Sequence, residues 1–332
     1  MKKLSLITFL IFACSVFGQT PELDTLRQKA EQGDVKAQYN LGFMYANGQG
    51  VTKDDIEAVK WWRKAADQGE VNAQVNLGNM YDCGRGVAKD DVEAIKWYRK
   101  AAEQRNASAQ ANLGLMYANG EGVTKDDIEA VRWLREAAEQ GNVNAQANLG
   151  AMYDGGRGVA KDDVEAAKWY RKAAEQGNAN AQFHLAGMYL NGRGVANDDV
   201  EAVRWFRKAA EQGLATAQFG LGAMYLTGRG VPKDEAESVN WFRKAADQGL
   251  AGAQNSLGLM YAAGQGVPKD VSEAEKWIRK AAEQGDANAQ NTLGTMYLLG
   301  VGVTRDVNAA KFWLGKSAAQ GNARAAANLK LL

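Results

Sequence analysis

The sequence is poor in three residue types on which disulfide-stapled domains and many metalloenzymes depend. Its 332 residues include one histidine, two cysteines and three prolines. A single histidine excludes any site that is built on two or more imidazoles, as in most zinc enzymes. Two cysteines, one of them close to the amino terminus, exclude an intramolecular disulfide framework. We therefore expect a fold that needs no metal, no cofactor and no disulfide network.

The chain also lacks an excess of charge of either sign. It carries 40 basic and 39 acidic side chains, and 46% of its residues are hydrophobic. This balance is typical of a globular chain, and it disfavours both disorder and a broad nucleic-acid-binding surface. We therefore expect no nucleic-acid partner.

The first residues have the pattern of an export signal. Two lysines form the charged end, residues 4–13 are apolar, and Val16 and Gly18 are the small residues expected before a cleavage site. We expect residues 1–18 to be a signal peptide, with cleavage before Gln19. The protein is then exported, either to the periplasm or outside the cell.

A lipid anchor is the competing interpretation of the same segment. Residues 11–14 resemble a bacterial lipobox that ends at Cys14, which would make the protein an outer-membrane lipoprotein. The apolar run itself is too short to span a membrane. No second apolar stretch of spanning length follows, so we expect no membrane span.

A 36-residue repeat dominates the rest of the sequence. Methionine recurs at this spacing eight times from Met44 onward, and tryptophan does so from Trp61 onward. Repeats of this length are typical of solenoids. We assign eight repeats to residues 37–324, a capping helix to residues 19–36 and a capping half-helix to residues 325–332.

Each repeat contains two helical patterns joined by a glycine-rich connection. In the first repeat, Leu41 and Met44 fall on one helical face, and Trp61 and Ala65 fall on the apolar face of a second helix. No alternating strand pattern appears. Because one hairpin cannot bury both of its faces, neighbouring repeats must complete the core. The sequence predicts an all-α fold of stacked helical hairpins.

Several recurring local features are interpreted in structural terms. Asp54 and Glu57 form a capping-box signature, and Gly42, opposite Ala65, is expected to let two helix backbones approach closely. The G-x-G connections recur eight times without a preceding strand, which indicates turns and not phosphate-binding loops. The Arg-Lys pairs of the second helices are interpreted as a solvated, charge-balanced face. Arg105 replaces the glycine expected after one second helix.

The blocks L-G-x-M-Y, G-x-G-V and W-x-R-K-A-A recur together at fixed spacing along the repeats. This combination resembles the Sel1-like repeat family, a relative of the tetratricopeptide repeats. The resemblance implies an α/α solenoid, a right-handed superhelix of helix-turn-helix repeats whose first helices line the concave side. It implies a scaffold and does not identify a partner.

The resemblance places the concave side at the third, fourth, seventh, tenth and eleventh positions of each repeat. These positions hold mostly small, apolar or amide side chains, and the fourth is asparagine in four consecutive repeats. Such a row of amides can pair with successive peptide groups of an extended polypeptide; alternatively, each asparagine bonds within its own hairpin. The candidate groove residues are Tyr39, Asn40, Phe43, Asn76, Asn79, Asn112, Asn148, Phe183, His184 and Phe219.

The predicted function is a scaffold for protein–protein interaction that holds a protein or peptide in this groove. A glycan- or cell-wall-associated module is the second hypothesis. A glycan groove needs an aromatic platform on most repeats, whereas this groove offers only Tyr39, Phe43, Phe183 and Phe219. An enzyme is third, because Cys83 and His184 lie three repeats apart and cannot form a catalytic pair. Cys83 is expected to be buried or half-buried, and its lone thiol leaves a disulfide-linked dimer open.

Overall fold

The computed structural model describes residues 21–330 and residue 332 of the chain. Within these residues the structure contains 18 α-helices and no β-strand, which confirms the predicted all-α class. The predicted signal peptide and the candidate lipid anchor at Cys14 lie outside the described residues. The contacts divide the chain at a repeat boundary into an N-terminal body that ends at Asn142 and a C-terminal body from Val143 to Leu332.

The N-terminal body contains seven of the described helices. The first belongs to the capping segment, and the others are the two helices of repeats 1 to 3 in alternation. They are α1 (Pro21–Glu31), α2 (Val35–Asn47), α3 (Asp55–Asp67), α4 (Val71–Cys83), α5 (Asp91–Glu103), α6 (Ala107–Asn119) and α7 (Asp127–Glu139).

The C-terminal body contains the remaining eleven described helices. Ten of them are the paired helices of repeats 4 to 8, and the last is a short closing helix. They are α8 (Val143–Gly155), α9 (Asp163–Glu175), α10 (Ala179–Asn191), α11 (Asp199–Glu211), α12 (Ala215–Thr227), α13 (Glu235–Asp247), α14 (Ala251–Ala263), α15 (Val271–Glu283), α16 (Ala287–Leu299), α17 (Val307–Ala319) and α18 (Ala323–Leu329).

Within each body, every helix packs against the next helix in the sequence. The two helices of one repeat make the larger contact, as α2 does with α3, and the second helix then packs against the first helix of the following repeat, as α3 does with α4. The core between them consists of small and aliphatic residues, and Leu41 and Ala65 are fully buried. This sequential packing confirms the predicted α/α solenoid.

The start of the second helix confirms half of the predicted capping box. The carboxylate of Asp54 accepts hydrogen bonds from the backbone N–H groups of Ile56 and Glu57, at 2.9 and 3.1 Å. The reciprocal bond is not formed, because the backbone N–H of Asp54 donates to the carbonyl oxygen of Tyr45 at 2.9 Å. The carboxylate of Glu57 pairs with Lys60 instead.

The predicted close backbone approach is present at Gly258, the equivalent of Gly42, where a Cβ atom would lie 2.9 Å from a backbone carbonyl oxygen. At Gly42 itself, a side chain fills the space. A Cβ atom at this position would lie 2.6 Å from Cδ1 of Trp62, so the missing side chain makes room for the indole ring. The loop glycine Gly86 does permit a close backbone approach, because a Cβ there would clash with the carbonyl group of Asp55. The G-x-G connections are therefore turns that seat one repeat against the preceding one.

Buried glutamines connect successive repeats, and the sequence interpretation missed them. Gln74 is buried in α4, and its side-chain amide donates to the carbonyl oxygen of Ala66 at 3.2 Å. The amide of Gln104 then donates to Oε1 of Gln74 at 2.9 Å. These bonds satisfy polar groups inside an apolar interface, where an unpaired group would be costly.

The Arg-Lys pairs of the second helices are not simply a solvated face. The guanidinium group of Arg171 donates to the hydroxyl oxygen of Tyr189 in the following repeat, at 2.7 Å. The ammonium group of Lys64 lies 4.1 Å from the ring centroid of Trp61, within the range of a cation–π contact. Equivalent contacts recur in other repeats, so the arginines link successive repeats, whereas each lysine covers a tryptophan of its own helix.

Candidate functional site

The candidate groove of the N-terminal body lies on the first helices α2, α4 and α6. Tyr39 is half-buried and packs against the core, whereas Asn40 and Phe43 are exposed and Asn76 is half-buried. The side-chain amides of Asn40 and Asn76 form no hydrogen bond within the described part of the chain. Both amides therefore keep their donor and acceptor capacity for a ligand.

Asn79 and Asn112 differ from these residues because they bond to each other. The amide of Asn112 donates to Oδ1 of Asn79 at 3.4 Å, and the hydroxyl of Tyr98 donates to the same oxygen at 2.5 Å. Burial raises the pKa of Tyr98, and the negative charge of Asp82 raises it further. The cluster ties α6 to the preceding repeat, so Asn112 bonds across repeats and not within its own hairpin.

Asn112 has a hydrogen-bond partner and Asn76 has none within the described residues, although both are the fourth residue of a repeat. The residue at the seventh position of the preceding repeat explains this difference. Asn112 meets Asn79 there, which offers an amide oxygen as acceptor. The corresponding residue before Asn76 is Phe43, which has no acceptor. Within the N-terminal body, the asparagine row therefore consists of one bonded residue, Asn112, and two unbonded residues, Asn40 and Asn76.

The C-terminal body continues the predicted set with Asn148, His184 and two phenylalanines. Asn148 is half-buried, and its side chain forms no hydrogen bond within the described residues. The imidazole of His184 stacks on the ring of Tyr170, with 5.0 Å between the ring centroids. His184 is exposed at the residue level, but desolvation of its ring, which stacks on Tyr170, lowers its pKa, and the negative charge of Asp154 opposes this shift.

The two phenylalanines are more occupied by packing than the sequence interpretation assumed. The ring centroid of Phe183 lies 5.8 Å from that of Phe206, and the centroid of Phe219 lies 5.4 Å from that of Phe242. Both side chains are half-buried against the core. They are packing residues and do not form a free aromatic platform of the kind that binds sugars.

The two carboxylates of the predicted groove lie in different electrostatic settings. Asp154 pairs with Arg193, which also pairs with Asp163 at 2.7 Å. Two repeats earlier, Asp82 and Asp91 occupy the positions equivalent to Asp154 and Asp163, but Glu121 replaces the arginine. Asp82 therefore lacks the internal counter-ion of its equivalent, although Lys89 approaches Asp91 to 3.2 Å.

The sequence expectation for Cys83 was wrong. The thiol is exposed at the last residue of α4, where the helix ends beside a glycine-rich turn. Within the described residues, no group of three or more His, Cys, Asp or Glu side chains is placed to hold a metal ion. In that same part of the chain, no helix is long and apolar enough to cross a membrane.

Comparison with known families and structures identifies the repeat. The Sel1 repeat model matches eight consecutive 36-residue segments, whose frame begins two residues before the one assigned from the sequence. The matched residues are 35–70, 71–106, 107–142, 143–178, 179–214, 215–250, 251–286 and 287–322.

Two solved structures are similar over most of this chain. One is a protective antigen of uropathogenic Escherichia coli strains that displays an SLR fold, with 43% identity, 92% coverage of this chain and a TM-score of 0.85. The other is a Sel1 repeat protein from Oxalobacter formigenes, with 38% identity, 93% coverage of this chain, 90% coverage of that chain and a TM-score of 0.70. This chain spans 66% of the length of the antigen structure.

A shorter match connects the chain to a named binding protein. The secretory immunoglobulin A-binding protein EsiB of Escherichia coli O6:H1 (strain CFT073) is 49% identical over 43 residues, which are 13% of this chain and 9% of EsiB.

Proposed function

The chain belongs to the Sel1 repeat family, and we propose that it is a scaffold that binds another protein. An extended segment of the partner lies along the first helices of the N-terminal body. The observation that carries this proposal is the pair of unbonded amides, Asn40 and Asn76, at the same position of successive repeats. Each amide can accept from one peptide N–H and donate to one peptide carbonyl.

The chemistry of the groove favours a weakly charged polypeptide over the alternative ligands. Phe43 exposes 42% of its surface beside Asn40 and offers an apolar contact. Asp82 is the one side chain that is charged at neutral pH among the predicted groove positions of this body. Affinity should therefore depend weakly on salt, unlike that of a nucleic-acid complex. The packing of Phe183 and Phe219 leaves little aromatic surface for a glycan.

A capture experiment with matched variants tests the proposal. The chain from Gln19 onward is immobilised and exposed to a bacterial envelope extract, and bound proteins are identified by mass spectrometry. Asn40→Ala with Asn76→Ala should lose the bound protein. The control is Asn240→Ala with Asn308→Ala, which truncates two exposed asparagines of second helices. If the groove variant and the control capture the same protein equally, the groove is not the binding surface.

Secretory immunoglobulin A is a defined first partner to test. The support for it is the local similarity to the E. coli protein that is named for this binding. Immobilised secretory immunoglobulin A should retain the wild-type chain and retain the groove variant less well. Absence of binding by the wild-type chain removes this partner and leaves the envelope capture to find another.

Export is a separate part of the proposal, and it rests on the leader pattern of residues 1–18. Mass spectrometry of the protein from a fractionated bacterial host tests it. An amino terminus at Gln19 in the periplasm or medium supports a cleaved signal. A diacylglyceryl group on Cys14 in the outer membrane supports the lipoprotein alternative, and an intact Met1 in the cytoplasm contradicts export.

A further inference from the structure

We infer that a cavity on the first helices of the last two repeats is a second polypeptide-binding subsite. It takes a segment that presents an N–H donor next to a carboxylate group. The cavity has a volume of about 670 Å³ and lies entirely within the C-terminal body. Its lining includes Asn255, Asn288, Asn291, Thr292, Asn322 and Arg324. The inference rests on the proposed function, since it assigns part of the partner's chain to this position.

Asn255 is the residue that marks this cavity as a binding site. Its side chain is 9% exposed, and its Oδ1 atom is buried without a hydrogen-bond partner among the described residues. The third position of the six preceding repeats holds an apolar or aromatic residue. Buried polar atoms in native proteins are nearly always paired, so an orphaned one calls for a partner from outside the chain.

The next repeat shows which group is missing. Asn291 is the equivalent of Asn255, and its Oδ1 accepts a hydrogen bond of 3.3 Å from the side-chain amide of Asn328. The equivalent of Asn328 beside Asn255 is Thr292. Its hydroxyl donates to the carbonyl oxygen of Asn288 at 2.9 Å and therefore does not serve Asn255.

A peptide N–H group of a ligand is a suitable donor for Oδ1 of Asn255. It is neutral, and it comes with a carbonyl group that the surrounding asparagine amides can bind. Asn255 lines the cavity, and the terminal torsion of an asparagine side chain is soft, so its amide can adjust when a ligand enters.

Arg324 supplies the second recognition element. It is exposed in α18, lines the same cavity and has no ion pair within the described residues. A guanidinium group binds a carboxylate through two parallel hydrogen bonds. The carboxylate can belong to an acidic side chain or to the carboxyl terminus of the partner, and the experiment separates these sources.

Three acetylated tripeptides are the probes: Ala-Ala-Ala with a free carboxylate, Ala-Asp-Ala with an amidated end, and Ala-Ala-Ala with an amidated end. Binding is followed by NMR as the shift of the Asn255 side-chain amide, assigned from its loss in Asn255→Leu. We expect a carboxylate-bearing peptide to saturate the shift and to bind about fivefold more tightly than the neutral peptide. The free-end peptide indicates a terminal carboxylate, and the aspartate peptide indicates a side chain.

Two variants test the mechanism. Thr292→Asn supplies the missing donor from within the chain, so it should abolish the peptide-induced shift without lowering the melting temperature. Thr304→Asn, at an exposed loop position, is the matched control and should bind like the wild type. Arg324→Gln should remove the preference for a carboxylate and leave the fold unchanged.

The inference is overturned if none of the three peptides gives a saturable shift up to about 10 mM, or if Thr292→Asn and Arg324→Gln bind like the wild type. These results do not depend on the asparagines of the N-terminal body. Loss of capture by the Asn40→Ala, Asn76→Ala variant together with a silent cavity would retain the proposed function and reject this subsite. Saturable peptide binding in the cavity, together with unaltered capture by that variant, would retain this subsite and reject the groove of the N-terminal body.

Discussion

The side-chain amide of Gln68 donates a hydrogen bond of 2.8 Å to Oε1 of Gln38, which lies buried in the first helix of the same repeat. Gln38 donates in turn to the carbonyl oxygen of Ala30 at 3.0 Å, so three successive helices are linked by two glutamines. The pair Gln104 and Gln74 repeats the arrangement one repeat later. We call these linked bonds of Gln38 with Gln68 and of Gln74 with Gln104 the glutamine relay. The relay helps to set the spacing of the helices that carry the candidate groove residues.

Replacing a glutamine of the relay by an apolar residue of similar size should destabilise the protein. Gln74→Leu should lower the free energy of unfolding by about 1–3 kcal/mol, because the carbonyl group of Ala66 and the amide of Gln104 each lose one of their hydrogen bonds. Urea unfolding followed by circular dichroism measures this change. Gln49→Leu, at an exposed loop position, is the control and should be close to neutral. Equal losses in both variants would show that the relay contributes nothing of its own.

Arg105 gives a prediction of the opposite sign. It is the one described non-glycine residue with a positive φ, at 64°, and the equivalent glycines have φ near 90°. Because a side chain disfavours this conformation, Arg105→Gly should stabilise the protein by up to about 1 kcal/mol. Gly177→Arg, at an equivalent site with open space around it, should destabilise by a similar amount. A lower melting temperature for Arg105→Gly would contradict the assignment of strain.

The repeat itself made most of the fold predictable. Residues that recur every 36 positions, such as Leu41 and Ala65, had to form the shared core, and both are fully buried. The period also showed that Gln38 recurs as Gln74, but it did not show what these side chains bind. Their partners lie about 30 residues away on another helix, and only the packed geometry brings them together.

The candidate site was less predictable for the same reason. Asn76 and Asn112 are identical in the sequence pattern, yet only Asn112 has an internal partner, because Asn79 and not Phe43 precedes it. Asn255 gave no signal as a site, since its Oδ1 lacks a partner only because the hydroxyl of Thr292 donates to Asn288 instead. Both distinctions depend on which side chains meet between neighbouring helices.

Reversing the charge of Glu121, beside the carboxylates Asp82 and Asp91, should stabilise the protein. Glu121→Arg places an arginine where Arg193 stands two repeats later, and Arg193 pairs with both equivalent carboxylates. These pairs are partly exposed, so the gain should be no more than about 1 kcal/mol, and it should shrink at high salt. Melting temperatures at low and high ionic strength measure it. The control Glu103→Arg changes the same charge at an exposed site without these partners and should give a smaller gain.

The single histidine allows a direct titration. Partial desolvation of the His184 ring against Tyr170 lowers its pKa, and Asp154 partly offsets this. The pKa measured by NMR on tag-free protein should therefore lie below the ordinary value of about 6.5. Because the folded state disfavours the charged form, the protein should lose stability as the pH falls through about 6.5, and His184→Gln should remove this loss.

Arg193 provides the control for that titration. Arg193→Gln removes the guanidinium that pairs with Asp154, so the carboxylate acts more strongly on the imidazole and the pKa of His184 should rise. A pKa above 6.5 in the wild-type protein, or one that falls in the variant, would contradict the described surroundings of this residue.

The central claim is that the unbonded asparagines of the N-terminal body bind the partner, and the most direct test is the affinity of asparagine variants for the captured protein by isothermal titration calorimetry. Asn40→Ala with Asn76→Ala should weaken binding by about 1–3 kcal/mol at an unchanged melting temperature. Asn112→Ala should lower the melting temperature, since it breaks the bond to Asn79. Wild-type affinity in the Asn40→Ala, Asn76→Ala variant would contradict the account.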